Sequence, residues 1–495
     1  MTKERIAVID SEPCGLSSVK CCLDEDLESV CFERTDVIGW LCRYQENPEG
    51  GRLSIYKLVI ISSSKEMLCF SDYSVPDHYL NFMHNSEVLE YFRMYAKDFN
   101  LLKYIQLKTT VYSVNKRPDF SISGQWEVLT ECDGKKKVNV FDGVMLCTGH
   151  HTNAHLPLEA FQVKIEKFKG QYFHSQDYKN PEAFAGKRVF IIVGNSGGDL
   201  AVEISYTVKQ VFLTTRTGVW ILNCVGDHGY PFDVVHFSEL KHLISKICGQ
   251  ALTNTFLEKS MSQRFDYEMF GLKLKHRALM KENVKEFTET AAIFEDGSRE
   301  DDIDAVIFVT GCRFALLFLK FPSKWSKTRY PHVKRSSPNL EKSILAMIGL
   351  IQALGAIMSI AKLQGCWATQ VFKGLKIFPS QCEMMAIASI FSTFRYVESQ
   401  RHTIQGDYID SMEGIDDMVR LSLQLFLGPC TPLQFHLQVL GKWNDVRKTI
   451  LTTGDYIRKP MKTGVIEKSN SIPSTKTMGR FMLAVIFFEV IMAYF

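Results

Sequence analysis

The chain has 495 residues, of which 46% are hydrophobic and 23% charged, so it is long enough for two or three globular domains with full cores. Its 58 lysines and arginines nearly balance its 55 aspartates and glutamates, which argues against a nucleic-acid partner. The 14 cysteines include no C-x-x-C pair and no His/Cys spacing that suits zinc, so we expect free thiols and no bound metal. The charged N-terminus leads into a strand without a signal-peptide pattern.

The first predicted unit is a strand, a turn and a helix, in the stretch "IAVIDSEPCGLSSV" (residues 6–19). This is the setting of a dinucleotide-binding fingerprint, G-x-G-x-x-G, but only its third glycine is present, as Gly15. Asp10 and Glu12 occupy the other two positions and would lie near a diphosphate. The turn is therefore either a nucleotide site weakened by two carboxylates or a turn that never was one.

The strand "SVCFE" follows and ends at Glu33, eighteen residues after Gly15, where a carboxylate can accept hydrogen bonds from a ribose. Residues 105–150 have the pattern of a β-meander. Its basic run "GKKK", residues 134–137, directly follows Asp133 and is predicted to be a solvated hairpin tip rather than a binding patch.

A second strand–turn–helix unit begins at "KRVFIIVGNSGGDLAVEI" (residues 187–204). Gly194 and Gly197 keep the second and third glycine positions, whereas the first falls on Ile192. Arg216 comes nineteen residues after Gly197, and its guanidinium suits a ribose 2′-phosphate, which a carboxylate would repel. The first unit is thus of FAD type and the second of NADP type.

This duplication predicts an α/β fold with two Rossmann-type dinucleotide-binding domains, the NADP domain being inserted into the FAD domain. We place the FAD domain at residues 1–153, the NADP domain at 154–306, the return part of the FAD domain at 307–450 and a C-terminal region at 451–495. The apolar stretch 344–361 is predicted to be a buried strand and helix.

The last fifteen residues, 481–495, are apolar except for Glu489. As a helix they would extend about 22 Å, which is short of a full span, so we expect a tail that lies in a membrane or dips into it. A terminal helix packed on the protein is the alternative.

The stretch "FKGQYFHSQDY" (168–178) matches F-x-G-x-x-x-H-x-x-x-[YF], through which the chain resembles the flavin-containing monooxygenases. "KEMLCFSDY", "QGCWATQVFKGL" and "RYVESQRHTIQGDYID" are similar to the mammalian members in particular, and the likeness runs essentially end to end. The resemblance implies that NADPH reduces FAD and that the reduced flavin captures O₂ as a C4a-hydroperoxide. A soft amine or sulfide substrate then attacks that oxygen, without a protein general acid or base. The resemblance also implies the cytosolic face of the endoplasmic reticulum membrane.

The resemblance assigns candidate site residues in three groups. Ser62 would face the reaction site, in the place of an asparagine in the family. The residues assigned to FAD are Gly15, Glu33, Leu41 and Ser63. The residues assigned to NADP are Gly194, Asn195, Ser196, Gly197, Thr215 and Arg216.

Several departures from the family pattern support a rival hypothesis. Trp40 and Cys42 are substituted in "GWLCR", Cys312 replaces a tyrosine, and residues are missing between "HRALM" and "KENVKEF". The rival is a catalytically impaired pseudoenzyme of the same fold that binds NADPH or a partner at the membrane. A flavin reductase without oxygen transfer would need a redox cysteine pair, and none is spaced for it. His174 is expected to link domains rather than to act as an acid or base.

Overall fold

The computed structural model describes residues 3–47, 55–149, 153–158, 165–193, 197–214, 224–226, 229–249, 252–257, 259, 284–313, 316, 318–319, 345–353, 355–376, 405–406, 408–413, 428–435 and 446–460. The strands, in chain order, are β1 (Arg5–Ile9), β2 (Glu28–Phe32), β3 (Ile105–Gln106), β4 (Thr109–Lys116), β5 (Trp126–Cys132), β6 (Lys135–Phe141), β7 (Gly143–Leu146), β8 (Asn153–Ala154), β9 (Gln171–His174), β10 (Arg188–Val193), β11 (Gln210–Thr214), β12 (Val284–Phe287), β13 (Ala292–Phe294), β14 (Arg299–Glu300), β15 (Ala305–Val309), β16 (Cys312–Arg313), β17 (Leu345–Met347), β18 (Gln352–Ala353) and β19 (Gln405–Gly406).

The helices are numbered in the same way. They are α1 (Pro13–Asp24), α2 (Lys65–Leu68), α3 (Asn85–Asp98), α4 (Phe120–Ser123), α5 (Gly197–Ser205), α6 (Phe232–His236), α7 (Glu239–Cys248), α8 (Ile357–Phe372), α9 (Tyr408–Glu413), α10 (Val446–Leu451) and α11 (Thr453–Arg458).

The first sheet has five parallel strands in the order β17-β7-β1-β2-β3. The side chains of its central strand, β1, alternate between two buried faces. Ile6 and Val8 belong to one hydrophobic cluster with residues of α1, α3 and α8, whereas Ala7 and Ile9 pack with residues of the β-meander. Because both faces are covered, β1 is a continuous apolar run rather than an alternating one.

The second sheet has four parallel strands in the order β11-β10-β15-β9. Phe190 of β10 lies opposite Phe212 on one side and opposite Val306 on the other. A three-stranded antiparallel sheet, β12-β13-β14, adds Phe287 and Phe294 to the same cluster as Phe190.

The order of the strands along the chain interleaves the two parallel sheets. The first takes strands from residues 5–146 and again from 345–347, and the second takes all its strands from residues 171–309. The predicted buried strand and helix within 344–361 are confirmed as β17 and the first part of α8. The domain boundaries at 153, 306 and 450 stay predictions.

The predicted β-meander is confirmed as the antiparallel sheet β4-β5-β6. Its hairpin turn has Asp133 at φ 49° and Gly134 at φ 75°, the two positive values that a type I′ turn requires. The lysines that follow, 135–137, are exposed, as expected for a solvated tip.

The 168–178 motif ties the second sheet together. A Cβ at Gly170 would lie 2.5 Å from the Asp304 carbonyl oxygen, so this position accepts no side chain. His174, which ends β9, accepts a hydrogen bond at Nδ1 from the Gln176 amide (3.2 Å) and donates one from Nε2 to the Gly311 carbonyl oxygen (2.9 Å). Burial lowers the pKa of His174, so its ring is neutral and holds β9 to the turn after β15.

The tail at 481–495 lies outside the described residues. Among the helices of the described residues, none combines the length and the apolar character needed to cross a membrane.

Candidate functional site

The turn after β1 is held by a close contact between its backbone and α1. Asp10 has φ 88°, a left-handed value that favours glycine, and its amide donates to the Phe32 carbonyl oxygen (2.9 Å). A Cβ at Gly15 would lie only 1.8 Å from the Asp10 carbonyl oxygen. Gly15 is therefore the residue that lets the first turn of α1 approach this loop.

Glu33 lies directly beyond β2 and points into the same turn. Its Oε2 accepts hydrogen bonds from the amide (2.9 Å) and the hydroxyl (2.8 Å) of Ser11, and its Oε1 accepts one from the Thr35 amide (2.7 Å). Only 5% of Glu33 is exposed. Sequence reasoning missed Ser11 and Thr35, because both donate backbone amides to this carboxylate and a backbone donor leaves no pattern in the residue types.

The Glu12 carboxyl group connects this turn to the segment that contains Leu41. Leu41 donates its amide to Glu12 Oε1 (2.7 Å), and the Glu12 amide donates to Asp10 Oδ1 (3.0 Å). The short 3₁₀ turn Trp40–Cys42 is thereby brought against the loop. The structure thus brings Gly15, Glu33 and Leu41 together, as their joint assignment requires.

Three carboxyl groups, those of Asp10, Glu12 and Glu33, share this small volume. Burial raises the pKa of Glu12 to about 7, and the negative charge of Glu33 adds to that effect. Burial also raises the pKa of Asp10 well above its usual value, as do the charges of Glu33 and Glu12. A carboxyl group that keeps its proton is a hydrogen-bond donor, whereas an ionised one repels a phosphate.

The turn fits a dinucleotide under this protonation condition. Glu12 is the N-cap of α1 but makes no side-chain bond to the amides of the first turn. Those amides and the bare backbone at Gly15 form the kind of helix N-terminus that holds a diphosphate. This arrangement suits a diphosphate when Asp10 and Glu12 are protonated.

A third segment, the turn after β17, meets α1 at the same edge of the sheet. Gly349 has φ 76°, and a Cβ there would lie 2.4 Å from Cys14 Sγ. Its amide donates to Gln364 Oε1 of α8 (2.8 Å). Sequence reasoning missed this approach because residues 14 and 349 are far apart in the chain.

The serines before α2 differ in exposure. Ser62 is exposed, Ser63 is partly buried, and Ser64 is fully buried as the N-cap of α2. The Ser64 amide donates to Asp233 Oδ2 of α6 (2.7 Å), and burial raises the pKa of Asp233. This bond joins the segment that contains Ser62 to α6, which follows the second strand–turn–helix unit in the chain. No sequence motif pointed to Asp233.

In the second unit the described residues show β10, α5 and β11. Gly197 is buried and begins α5, and β10 and β11 are parallel neighbours. The other residues assigned to NADP, namely Gly194, Asn195, Ser196, Thr215 and Arg216, lie outside the described residues. Their roles stay predictions.

Among the described residues, no group of three or more His, Cys, Asp and Glu side chains could hold a metal ion.

Comparison with known proteins matches almost the whole chain to one family. The family model for flavin-binding monooxygenase-like proteins matches residues 3–284 and 277–495. The two matches overlap at residues 277–284. This is the place, after "HRALM", where the sequence predicts that residues are missing relative to the family.

Two relatives and two solved structures illustrate the similarity. The chain is 64% identical to flavin-containing monooxygenase 5 of Homo sapiens over 534 aligned positions, which cover 100% of both chains. It is 42% identical to dimethylaniline monooxygenase (N-oxide-forming) 2 of Mus musculus, with 98% of each chain covered. In fold it is similar to S-allyl-L-cysteine S-oxygenase from Allium sativum (TM-score 0.64, 18% identity, 93% and 94% covered). It is also similar to cyclohexanone monooxygenase (TM-score 0.56, 13% identity, 93% and 99% covered).

These findings confirm the predicted α/β class with two Rossmann-type domains and the predicted monooxygenase function. The pseudoenzyme alternative receives no support from them, because the likeness to monooxygenases extends over the full length. The family binds flavin and acts on small molecules with O₂. On the evidence of sequence and fold, the chain belongs to the flavin-binding monooxygenase-like family.

Proposed function

We propose that this monooxygenase takes its electrons from NADPH and oxygenates soft nitrogen or sulfur nucleophiles of small molecules. The observation that carries the proposal is the β1–α1 turn with Gly15 and Glu33 in place, in a chain 64% identical to a flavin-containing monooxygenase. The names of two similar proteins, an N-oxide-forming monooxygenase and an S-oxygenase, support this substrate class.

On this proposal, the residues of the first unit hold FAD. The first-turn amides of α1, made accessible by Gly15, bind its diphosphate, and Glu33 accepts a hydrogen bond from its ribose. Glu33 can do so while it bonds Ser11 and Thr35, because each carboxylate oxygen accepts more than one hydrogen bond. Leu41 and Ser63 would also contact the bound FAD. The flavin, when bound, supplies the redox chemistry and the activation of O₂.

The second unit would hold NADPH. β10 ends at Val193 and α5 begins at Gly197, so the helix N-terminus follows the carboxyl end of the strand, where dinucleotides bind in this fold class. In the sequence, Gly194, Asn195 and Ser196 come between β10 and α5, and Thr215 and Arg216 come after β11. Arg216 supplies the guanidinium that binds the 2′-phosphate.

Ser62 would face the reacting part of the flavin. Its segment is anchored by the Ser64–Asp233 bond, although Ser62 itself is exposed. A serine hydroxyl is shorter than an asparagine amide and lacks its paired donor and acceptor. We therefore propose that Ser62 retains activated oxygen less firmly than an asparagine would.

We also propose that the chain associates with the cytosolic face of the endoplasmic reticulum membrane through residues 481–495. The apolar composition of this segment and its position after Arg480 support the proposal.

The reaction can be tested with purified protein, NADPH, ¹⁸O₂ and a thioether. The expected product is a sulfoxide that contains one ¹⁸O atom, because one atom of O₂ is transferred to the sulfur. Ser62→Asn should raise the fraction of consumed NADPH that is recovered as sulfoxide. Consumption of NADPH by both proteins with no labelled sulfoxide would contradict the proposed oxygen transfer.

Flavin binding should weaken with rising pH. Since Glu12 has a pKa of about 7 and only its protonated form accommodates a diphosphate, the dissociation constant should rise about tenfold between pH 6 and pH 8. Glu12→Gln keeps an oxygen for the Leu41 amide but cannot ionise, so its affinity should change much less. Titration of the protein with FAD, followed by flavin fluorescence, measures both.

Asp10→Gly combined with Glu12→Gly is the matched control for this titration. It removes both carboxyl groups and puts glycine at the φ 88° position, so it should bind FAD tightly at both pH values. Equal pH dependence in all three proteins would show that the carboxyl groups do not control the binding.

Arg216→Ala should weaken NADPH binding by about 1.5–3 kcal/mol, the value of a hydrogen bond to a charged group. NADH binding should not change, since NADH has no 2′-phosphate. Dissociation constants for both cofactors, measured by fluorescence titration, give the comparison. An equal loss for the two would refute the assignment of Arg216.

A chain that ends at Met478 should fold and bind flavin as the full chain does, but it should lose its association with membranes. Both chains would be expressed in the same cells and separated by ultracentrifugation into membrane and soluble fractions. If both sediment alike, residues 481–495 are not what attaches the protein.

A further inference from the structure

Two cysteines that are 345 residues apart in the chain lie in contact. The sulfur atoms of Cys21 on α1 and Cys366 on α8 are 3.3 Å apart. Cys21 is 1% exposed, whereas Cys366 is partly exposed. Both are free thiols, and their spacing in the sequence gave no sign of a pair.

The contact depends on the close packing of the two helices. Gly365 precedes Cys366, and a Cβ at this position would lie 3.2 Å from Cys21 Sγ and 3.6 Å from the Ser18 Cα. Because glycine has no side chain, α8 can approach α1 closely enough for the two sulfur atoms to meet. A disulfide bond is about 2.05 Å long, so the two sulfur atoms would need to move about 1.3 Å closer to form one.

A buried group of charges lies beside the pair. Lys362 is one helical turn before Cys366; its Nζ is 2.7 Å from Asp72 Oδ2 and 3.9 Å from Asp24 Oδ2. Lys20 of α1 also reaches Asp72, at 2.9 Å. Lys362 is fully buried, so its positive charge acts on the neighbouring sulfur atoms with little solvent screening.

The surroundings make the two thiols unequal. The hydrogen bond from Cys21 lowers the pKa of Cys366 and outweighs the effect of burial. The charge of Lys362 also lowers this pKa, whereas the charges of Asp72 and Asp24 raise it. Burial raises the pKa of Cys21 well above its usual value. Cys366 is also the more exposed of the two, which suits it to react first with an oxidant.

We propose that Cys21 and Cys366 form a reversible thiol–disulfide site that hydrogen peroxide oxidises and that links α1 covalently to α8. The Cys366 thiolate attacks one peroxide oxygen, the O–O bond breaks, and the departing hydroxide takes up a proton, leaving a sulfenic acid and water. The Cys21 sulfur then attacks the sulfenic sulfur and displaces hydroxide, which takes the Cys21 proton. Two thiols and one peroxide give one disulfide and two waters.

The proposed disulfide does not depend on the identity of the electron donor or of the substrate. It would, however, constrain α1, the helix whose N-terminus is proposed to bind FAD. α1 carries Gly15 and the loop of Asp10 and Glu12 at its other end, so a bond to α8 would fix this helix in place. The disulfide would also close a loop of several hundred residues and should raise the melting temperature.

Peptide mapping of the full chain tests the proposal. Reduced protein is treated with hydrogen peroxide, its remaining thiols are alkylated, and the digest is analysed by mass spectrometry. We expect a peptide pair linked through Cys21 and Cys366, which dithiothreitol separates, and a higher melting temperature in the oxidised sample. Recovery of both cysteines in alkylated form, under conditions that oxidise the exposed Cys132, would overturn the proposal.

Variants identify the partners. Cys366→Ser should abolish the linked peptides and the rise in melting temperature. Cys22→Ser is the matched control, because Cys22 is the buried neighbour of Cys21 on the same helix and should not be needed. A link between Cys366 and Cys22 in the parent protein would refute the assigned pair. Loss of the link to Cys366 in Cys22→Ser would refute it as well. Because the parent protein is mapped directly, a variant that fails to fold does not prevent the test.

Discussion

The contact between α1 and the turn after β1 is the constraint on which the flavin side of the molecule depends. Since a Cβ at Gly15 would collide with the Asp10 carbonyl oxygen, the helix keeps its position only with glycine there. That position directs the first-turn amides of α1 to the carboxyl edge of the sheet. It also brings Ser11 to Glu33, and the turn at Gly349 to Cys14.

The two ends of α1 handle buried acidic groups in different ways. Near its N-terminus, the carboxyl groups of Asp10 and Glu12 have raised pKa values because burial disfavours their ionised forms. Near its C-terminus, Asp24 and Asp72 are paired with Lys20 and Lys362. Cations compensate the buried carboxylates at the second end, whereas at the first end burial favours the protonated carboxyl groups of Asp10 and Glu12. We therefore expect cofactor binding at the first end to depend on pH, whereas at the second end ion pairs connect the helices.

Family membership defines the fold and the reaction class of this chain, whereas the residues that depart from the family pattern bear on cofactor affinity and on coupling. Similarity over the full length establishes the fold and the monooxygenase class, and the 168–178 motif is explained by packing at Gly170 and by the hydrogen bonds of His174. On the proposed function, the departures at Asp10, Glu12 and Ser62 affect how tightly the cofactor is held and how well oxygen transfer is coupled to NADPH consumption. These are quantities that variants of single residues can measure.

The sequence by itself determined the strand and the helix of both nucleotide-type units, the β-meander with its hairpin tip at Asp133-Gly134, and the strand and helix within 344–361. These features rest on local signals: apolar periodicity, turn residues and the spacing from Gly15 to Glu33. The tertiary structure alone decided which distant groups meet, as Ser64 does with Asp233, Gly349 with Cys14, and Cys21 with Cys366. Such pairs carry no sequence pattern because helix packing and sheet order, not chain spacing, set their distances. For the same reason the carboxyl groups of Asp10 and Glu12 could be located from the sequence, but their protonation depends on burial, which only the folded chain defines.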